Sequence, residues 1–373
     1  MEPAILNPLS MRSLVELLAL LATTNSSIKK ESLTTPLSSN EMIITELARY
    51  AIKGLAPDKL SSISLSSDDK TFPDDRRFAL LKQKYHLDVV DDTSDDNPDK
   101  ESVFNEMDPE WLHKENFLCA FTDPEFMAQF KTSYEIVKRN DSDNTNDRNE
   151  IQRLLTVSRR SNEETKNTFD LNSIEGRNQL AEYFVKQQPP SITDKASLAC
   201  ITQAQSQKHK HQFGNTSSGF KKNNGESRTI HIVNEATVRD VEEKVNDSDE
   251  EEDTIQLNAM RFRPNIVVDG LEPWKEFDFV GKRLKVIRNN SDEKDGTIIL
   301  KVLSKTVRCA GIGVDPSQPE AKKLDVPQLL SKHFPQYGPY LGVYAVIECQ
   351  SDDGNDDTEF HMSVGDRIQL IDE

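Results

Sequence analysis

The stretch Arg261–Val286 reads RFRPNIVVDGLEPWKEFDFVGKRLKV and decides how the second half of the chain folds. The run Asn265–Val268 within it and the run Arg283–Ile287 at its end are predicted to be strands because they are short and rich in apolar and β-branched residues. The same signal recurs further along, in Thr297–Val307, Val343–Ile347 and Arg367–Ile371. Many strands with few helices predict a barrel or a folded sheet, so the fold class is α+β and predominantly β.

Two helices interrupt these strands. Asn234 is a suitable N-cap for a helix whose Val238, Val241 and Val245 recur at intervals of three and four. The second helix is predicted over Pro327–Phe334, with its proline in the first turn.

The first half predicts a β-rich module with strands near residues 43–51, 61–66 and 77–81. In the first strand, simple alternation places Ile44, Glu46, Ala48 and Tyr50 on one face.

Composition excludes several classes of function. The net charge is −18, and three acidic segments account for it: residues 91–110, 247–253 and 352–357. An acidic balance argues against non-specific nucleic-acid binding, which needs a basic surface. No apolar run is long enough for a transmembrane helix. The four cysteines are scattered without a CxxC pair, which favours reduced thiols over a disulfide framework or a zinc site.

The chain is divided by composition into three parts. Residues 1–40 are predicted to be a flexible extension, 41–190 a β-rich N-terminal domain, and 191–373 a second, barrel-like domain. Polar segments at 91–100, 140–150 and 205–224 are predicted to be expanded loops. A cytoplasmic and a mitochondrial location both stay open.

The sequence contains no nucleotide-binding, hydrolase-elbow or zinc-protease motif, which leaves Cys309 as the candidate reactive residue. This thiol ends a long apolar strand and is followed by Ala-Gly-Ile-Gly, where glycines would let a ligand approach closely. The alternative is a small buried hydrophobic residue. Arg308 does not decide between them, because neighbouring strand residues face opposite ways. The pairs Arg76–Arg77 and Arg261–Arg263 could hold an oxyanion or lie on the surface beside core phenylalanines.

The blocks Arg261–Val286 and KTVRCAGIGVDP (Lys305–Pro316), followed by LDVPQLL, LGVYAVIE and VGDRIQL, closely resemble the MOSC domain. Upstream, ARYAIKGLAPDKL (Ala48–Leu60), PDDRRFAL (Pro73–Leu80) and HKENFLCAFTDPEF (His113–Phe126) resemble its usual N-terminal β-barrel partner. Together the blocks cover most of residues 41–373 in the order typical of that family, which includes the mitochondrial amidoxime-reducing component and similar bacterial oxidoreductases.

The resemblance implies a molybdopterin-type molybdenum cofactor held between the two domains, with a cysteine thiolate on molybdenum. The cysteine of the family pattern falls on Cys309, and Asp315 matches the aspartate that follows it. By motif position, Lys53, Arg76 and Arg263 would bind the phosphate and pterin. Asn265 and Tyr344 match positions that line the cofactor. Mo binds thiolate sulfur well, provided that the thiol is deprotonated.

As an enzyme, the protein would reduce N-hydroxylated or other oxygen-bearing small molecules. A separate haem or flavin protein would supply electrons, because the sequence carries no electron-delivering motif of its own. The resemblance does not extend to the pyridoxal-dependent half of the full sulfurase, so pyridoxal phosphate binding is not expected.

The chain departs from the amidoxime-reducing members in three ways. Lys53 is followed by Gly54 where those members have serine, Thr306–Arg308 replaces a second cysteine, and the polar insertions are long. Two alternatives stay open: a carrier of persulfide sulfur on Cys309, and a cofactor-free interaction protein whose acidic loops are the active surface.

Overall fold

The computed structural model describes residues 40–82, 110–111, 114–139, 150–188, 197–202, 211–212, 229–247, 254–289, 296–316, 318, 320, 323–350 and 358–371. All of them belong to one compact unit, Ser39–Glu373. The predicted N-terminal extension, most of the three acidic segments and most of the polar loops lie outside the described residues.

The strands of the described part, in chain order, are β1 (Glu41–Arg49), β2 (Asp58–Leu60), β3 (Ser62–Leu65), β4 (Phe78–Lys82), β5 (Glu110–Trp111), β6 (Phe117–Leu118), β7 (Phe130–Arg139), β8 (Glu150–Arg159), β9 (Asn162–Asp170), β10 (Leu198–Thr202), β11 (His211–Gln212), β12 (Ile230–Asn234), β13 (Ile266–Asp269), β14 (Arg283–Ile287), β15 (Thr297–Val307), β16 (Tyr340–Gln350), β17 (Phe360–Ser363) and β18 (Arg367–Leu370). The helices are α1 (Pro124–Ala128), α2 (Ile174–Gln187), α3 (Glu235–Asn246) and α4 (Val326–His333).

Seven strands close into a barrel, in the order β13-β12-β16-β15-β14-β18-β1, with β1 pairing back onto β13. The β12–β13 pair is parallel and the other pairs are antiparallel. Apolar side chains from all seven strands fill the main core together with helices α3 and α4. The predicted fold class, α+β and predominantly β, is therefore confirmed.

Strand β1 corrects the predicted alternation of faces. Ile44 pairs with Val268 and Glu46 with Val267, so a bulge shifts the register between Ile44 and Glu46. Leu47 consequently joins Ile44 in the core, while Glu46 is half-buried. A bulge adds one residue to one strand only and interrupts simple alternation, so Leu47 lies in the core together with Ala48 and Tyr50.

A second core lies beside the barrel. The sheet β7-β8-β9 and the sheet β10-β4-β6 enclose it together with helix α2. Phe130 and Phe184 meet edge to face there, with ring centroids 4.9 Å apart. The boundary at residue 190 stays a prediction, since β1 of the N-terminal part pairs within the barrel.

Both predicted helices form close to their expected positions. Asn234 caps α3, its Oδ1 accepting the backbone N–H of Ala236 at 3.1 Å. Asp325 caps α4 in the same way, accepting the N–H of Gln328 at 3.2 Å. Within the described part of the chain, no helix has the length and apolar character needed to cross a membrane.

Glu276 is a buried carboxylate between α3 and the barrel, with only 1% of its surface exposed. Thr237 donates its hydroxyl to both carboxylate oxygens at 2.9 Å, and the Asn234 amide donates at 3.1 Å. Burial raises the pKa of Glu276 to about 7, against an ordinary value of 4.5, although these hydrogen bonds act in the opposite direction.

We expect this residue to make stability fall as the pH rises from about 4.5 to 7. In that range the folded protein retains a proton that the unfolded chain has already released, so deprotonation favours unfolding. The loss should approach roughly 3 kcal/mol. Glu276→Gln should flatten this dependence in urea unfolding measured from pH 5 to 8. The exposed neighbour Glu272→Gln is the control, and equal slopes for wild type and Glu276→Gln would contradict the prediction.

Candidate functional site

Cys309 follows β15 and begins a 3-10 turn over Ala310–Ile312. Its thiol is exposed, as is Ala310. A Cβ built on Gly311 would lie 3.4 Å from the Cα of Phe121, so the Cys309 loop packs closely against a loop from the N-terminal part of the chain. Among the described residues, Cys119 and Cys200 are buried and Cys349 is half-buried, which makes Cys309 the thiol accessible to a ligand.

The side chains of Arg76 and Arg263 lie on the ring of Tyr50. Their guanidinium carbons are 4.9 and 4.4 Å from its centroid, within cation–π range. Tyr50 is fully buried, and its hydroxyl has no hydrogen-bond partner among the described residues. Burial also raises the pKa of Tyr50, so the phenol keeps its proton. An aromatic ring thus contacts two cations that would otherwise repel one another.

Both arginines have a left-handed backbone, with φ of +51° at Arg76 and +56° at Arg263. This conformation is uncommon for residues other than glycine and persists where the surroundings hold it. Arg76 donates its N–H to the carbonyl of Tyr50 at 2.7 Å, and Arg263 donates to Met260 at 3.0 Å. The Asp75 carboxylate accepts the Tyr50 N–H at 2.8 Å and forms an ion pair with the Arg76 guanidinium.

Asn265 supports this arrangement from inside the barrel. It is fully buried, and its Oδ1 accepts the backbone N–H of His231 at 3.1 Å and the Arg76 guanidinium at 3.4 Å. Its Nδ2 donates to the carbonyl of Ala48 at 3.1 Å. The amide therefore ties β1 to β12 and holds Arg76.

Asp315 lies in the loop that follows Cys309, where it is 2% exposed. Asn258 donates its amide to the carboxylate at 2.6 Å, and the Nε of Arg261 lies 3.7 Å away. Arg261 in turn donates to the carbonyl of Gly313 at 3.0 Å. These contacts brace the loop that carries the thiol.

Lys53 completes the cation cluster, which we define as Lys53, Arg76, Arg263 and Arg308. Withdrawal from water lowers the pKa of Lys53, and the charges of Arg76 and Arg263 lower it further, while Cys119 and Cys309 act in the opposite direction. Burial lowers the pKa of Arg263 from 12.5 to about 10. Burial and the neighbouring positive charges disfavour the charged forms of these groups, so an anion bound among them would be stabilised.

Arg308 belongs to the site, although strand alternation did not indicate it. It is 8% exposed, and burial lowers its pKa while Tyr344 and Cys309 raise it. Strand β15 ends at Val307, so strand alternation does not apply to Arg308 and Cys309. The two residues interact electrostatically.

His231 and Tyr344 form the wall beside Arg308. They are opposite each other on β12 and β16, and their ring centroids are 5.5 Å apart. Burial raises the pKa of Tyr344, while the charge of Arg308 lowers it and Cys309 raises it. His231 was not singled out from the sequence; a lone histidine in an apolar strand carries no signal without its spatial neighbours.

The predicted residues divide into two groups. The first group interacts with Tyr50 and Arg308 through the contacts and charge interactions above, and it consists of Lys53, Arg76, Arg263, Tyr344 and Cys309. Asn265 and Asp315 brace that group through buried hydrogen bonds. No cluster of metal-ligating side chains is found within the described ranges.

A family model for the MOSC domain matches residues 208–369. At the level of the family, this domain suggests molybdenum cofactor binding or oxidoreduction. No curated protein matches the chain. Among solved structures, the YUAD protein from Bacillus subtilis shows 9% identity and a TM-score of 0.33, covering 88% of this chain and 95% of that chain.

Gly54, which follows Lys53, is required by a close backbone approach. Its φ is +92°, and a Cβ there would lie 2.6 Å from the Cα of Cys119 and 2.7 Å from the N of Ala120. A serine at this position would not simply supply a missing hydroxyl, because its Cβ would displace the loop that packs next to the site.

We expect Gly54→Ser to destabilise the protein far more than Gly281→Ser. Gly281 also has a positive φ, of +85°, but a Cβ there meets nothing within 4 Å. The control should lose about 1 kcal/mol of unfolding free energy from backbone strain. Gly54→Ser should lose roughly 2 kcal/mol more, because the clash is with backbone atoms. Urea unfolding measures both, and equal losses would show that the loop yields easily.

Proposed function

We propose that this protein is an oxidoreductase that binds a molybdopterin-type molybdenum cofactor through Cys309. The observation that carries the proposal is an exposed thiol that shares its electrostatic environment with a cluster of four cations. The cluster contains four cations, and one of them, Arg76, is paired with the Asp75 carboxylate. The excess positive charge suits an oxyanion such as a phosphate.

Two buried polar atoms support the fit of such a group. In the described part of the chain, the hydroxyl of Tyr50 and the Nε of Arg308 lack hydrogen-bond partners. Buried polar groups are nearly always paired, so exceptions call for an explanation, and a group that binds at this site is one. In the proposal, Lys53, Arg76 and Arg263 hold the phosphate and pterin, and Tyr344 shapes the pocket beside them.

When bound, the cofactor would supply two-electron redox chemistry at molybdenum. Cys309 would be its protein ligand, since soft thiolate sulfur suits this metal. Asn265 and Asp315 would keep the cations and the thiol loop in position. The substrate would be an N-hydroxylated or other oxygen-bearing small molecule, with a separate haem or flavin protein as electron donor.

The division into an N-terminal domain over 41–190 and a MOSC domain over 191–373 belongs to the same proposal. The cation cluster draws on both parts, with Lys53 and Arg76 from the first and Arg263 and Arg308 from the second. A cofactor bound there would therefore contact residues on both sides of the boundary.

Molybdenum content tests this function directly. Wild type purified from a host that makes the cofactor should carry near-stoichiometric metal by elemental analysis. Cys309→Ser should lose most of it, and Arg263→Gln should lose a large part because an anion-binding cation is gone. Cys349→Ser is the matched control and should keep the wild-type content, since its thiol lies on β16 outside the cluster.

The other outcomes each decide against part of the proposal. Equal metal in wild type and Cys309→Ser would remove Cys309 as the ligand. A folded wild type without metal, but with a persulfide on Cys309 by mass spectrometry, would favour the sulfur carrier. A folded wild type with neither would favour the interaction protein.

A further inference from the structure

His231 is a buried histidine that contacts two members of the cation cluster. Its Nε2 lies 3.3 Å from a terminal nitrogen of Arg308, and its Nδ1 lies 3.4 Å from the carbonyl oxygen of Arg263. The ring is 2% exposed and packs against Tyr344. Its backbone is held as well, since its N–H donates to Asn265 and its carbonyl accepts from the N–H of the same residue at 2.7 Å.

These contacts select one form of the ring. A guanidinium can only donate and a carbonyl can only accept, so Nε2 must be the acceptor and Nδ1 must carry the proton. Burial lowers the pKa of His231 well below its ordinary value, and the charge of Arg308 lowers it further, so the ring is neutral. The carbonyl of Leu341 is a further backbone acceptor for the ring, and an Nε2–H that donated to it would leave Arg308 without its acceptor on His231.

The acceptor on His231 limits where Arg308 can point. One terminal nitrogen of Arg308 faces His231, and the other donates to the carbonyl of Phe262 at 2.7 Å. With both ends of the guanidinium held, its plane is fixed and its Nε is left without a partner among the described residues. A guanidinium held at two points loses little further conformational entropy when a ligand binds.

We propose that His231, as the neutral Nδ1–H tautomer, is a positioning residue that fixes the guanidinium of Arg308, the neighbour of Cys309 in the chain. Arg308 then provides a fixed positive charge for an anionic group that approaches the sulfur. This deepens the proposed function, but its test needs no cofactor. A protein that binds no molybdenum can still show the expected alkylation ratios, and a protein that binds molybdenum can fail to show them.

The test compares alkylation of Cys309 by iodoacetate and by iodoacetamide in cofactor-free protein. The reagents differ in charge, and the ratio of their rates at one thiol cancels the fraction of thiolate. Peptide mass spectrometry follows Cys309 alone, and free N-acetylcysteine gives the intrinsic ratio. Wild type should favour iodoacetate relative to that reference, and Arg308→Gln should lower the ratio roughly three- to tenfold.

Two substitutions of His231 separate positioning from packing. His231→Phe keeps a ring but removes the acceptor, and should give at least half of the Arg308→Gln effect on a logarithmic scale. His231→Gln provides an amide oxygen near the position of Nε2 and should restore the ratio towards wild type. A merely structural role would lower the thermal stability of both variants without changing the ratio.

Three results would overturn the proposal: an unchanged ratio in Arg308→Gln, a wild-type ratio in folded His231→Phe, or equal ratios in His231→Phe and His231→Gln. If the His231 variants do not fold, ¹⁵N spectra of histidine-labelled wild type still show which ring nitrogen of His231 carries the proton. The proposal expects one neutral histidine that stays Nδ1-protonated from pH 5 to 8, and an Nε2–H form in its place would refute it.

Discussion

Strand β1 closes the barrel by pairing with β13 on one side and β18 on the other, and the site depends on that closure. The strand leads directly into Tyr50 and Lys53, so its position determines where those side chains lie. The amide of Asn265 fastens the same strand at Ala48 from the neighbouring element. Residues more than two hundred positions apart in the chain therefore meet only when the barrel is complete, which couples formation of the site to folding of the core.

The cation cluster is the second constraint. Charges withdrawn from water repel one another strongly unless something compensates. Here the compensation is partial: the Tyr50 ring accepts two guanidiniums on its π-system, and Asp75 pairs with one of them. Burial lowers the pKa values of Lys53 and Arg263, and the charge of Arg76 lowers both further. In the proposed function, a bound anion would reduce the repulsion among these cations.

Sequence patterns predicted the regular elements well where the signal was local. Asn234 and the valines after it predicted α3, and the long apolar run Thr297–Val307 coincides with β15. Helix α2 was missed although Ser173 caps it and Leu180 and Phe184 face the core, because that signal is short and set among charged residues. The bulge at Ile44–Glu46 was also missed, since it depends on pairing with β13.

The sequence by itself determined the class of fold and the residues that could bind an anion or a soft metal, because periodicity, capping and motif order are local properties of the chain. Only the tertiary structure decided which of those residues act together. It showed Asn265 and Asp315 as internal braces, placed Arg308 in electrostatic interaction with Cys309, and set His231 between two arginines. Register shifts and burial decide such relations, and both arise from contacts between segments that are distant in sequence.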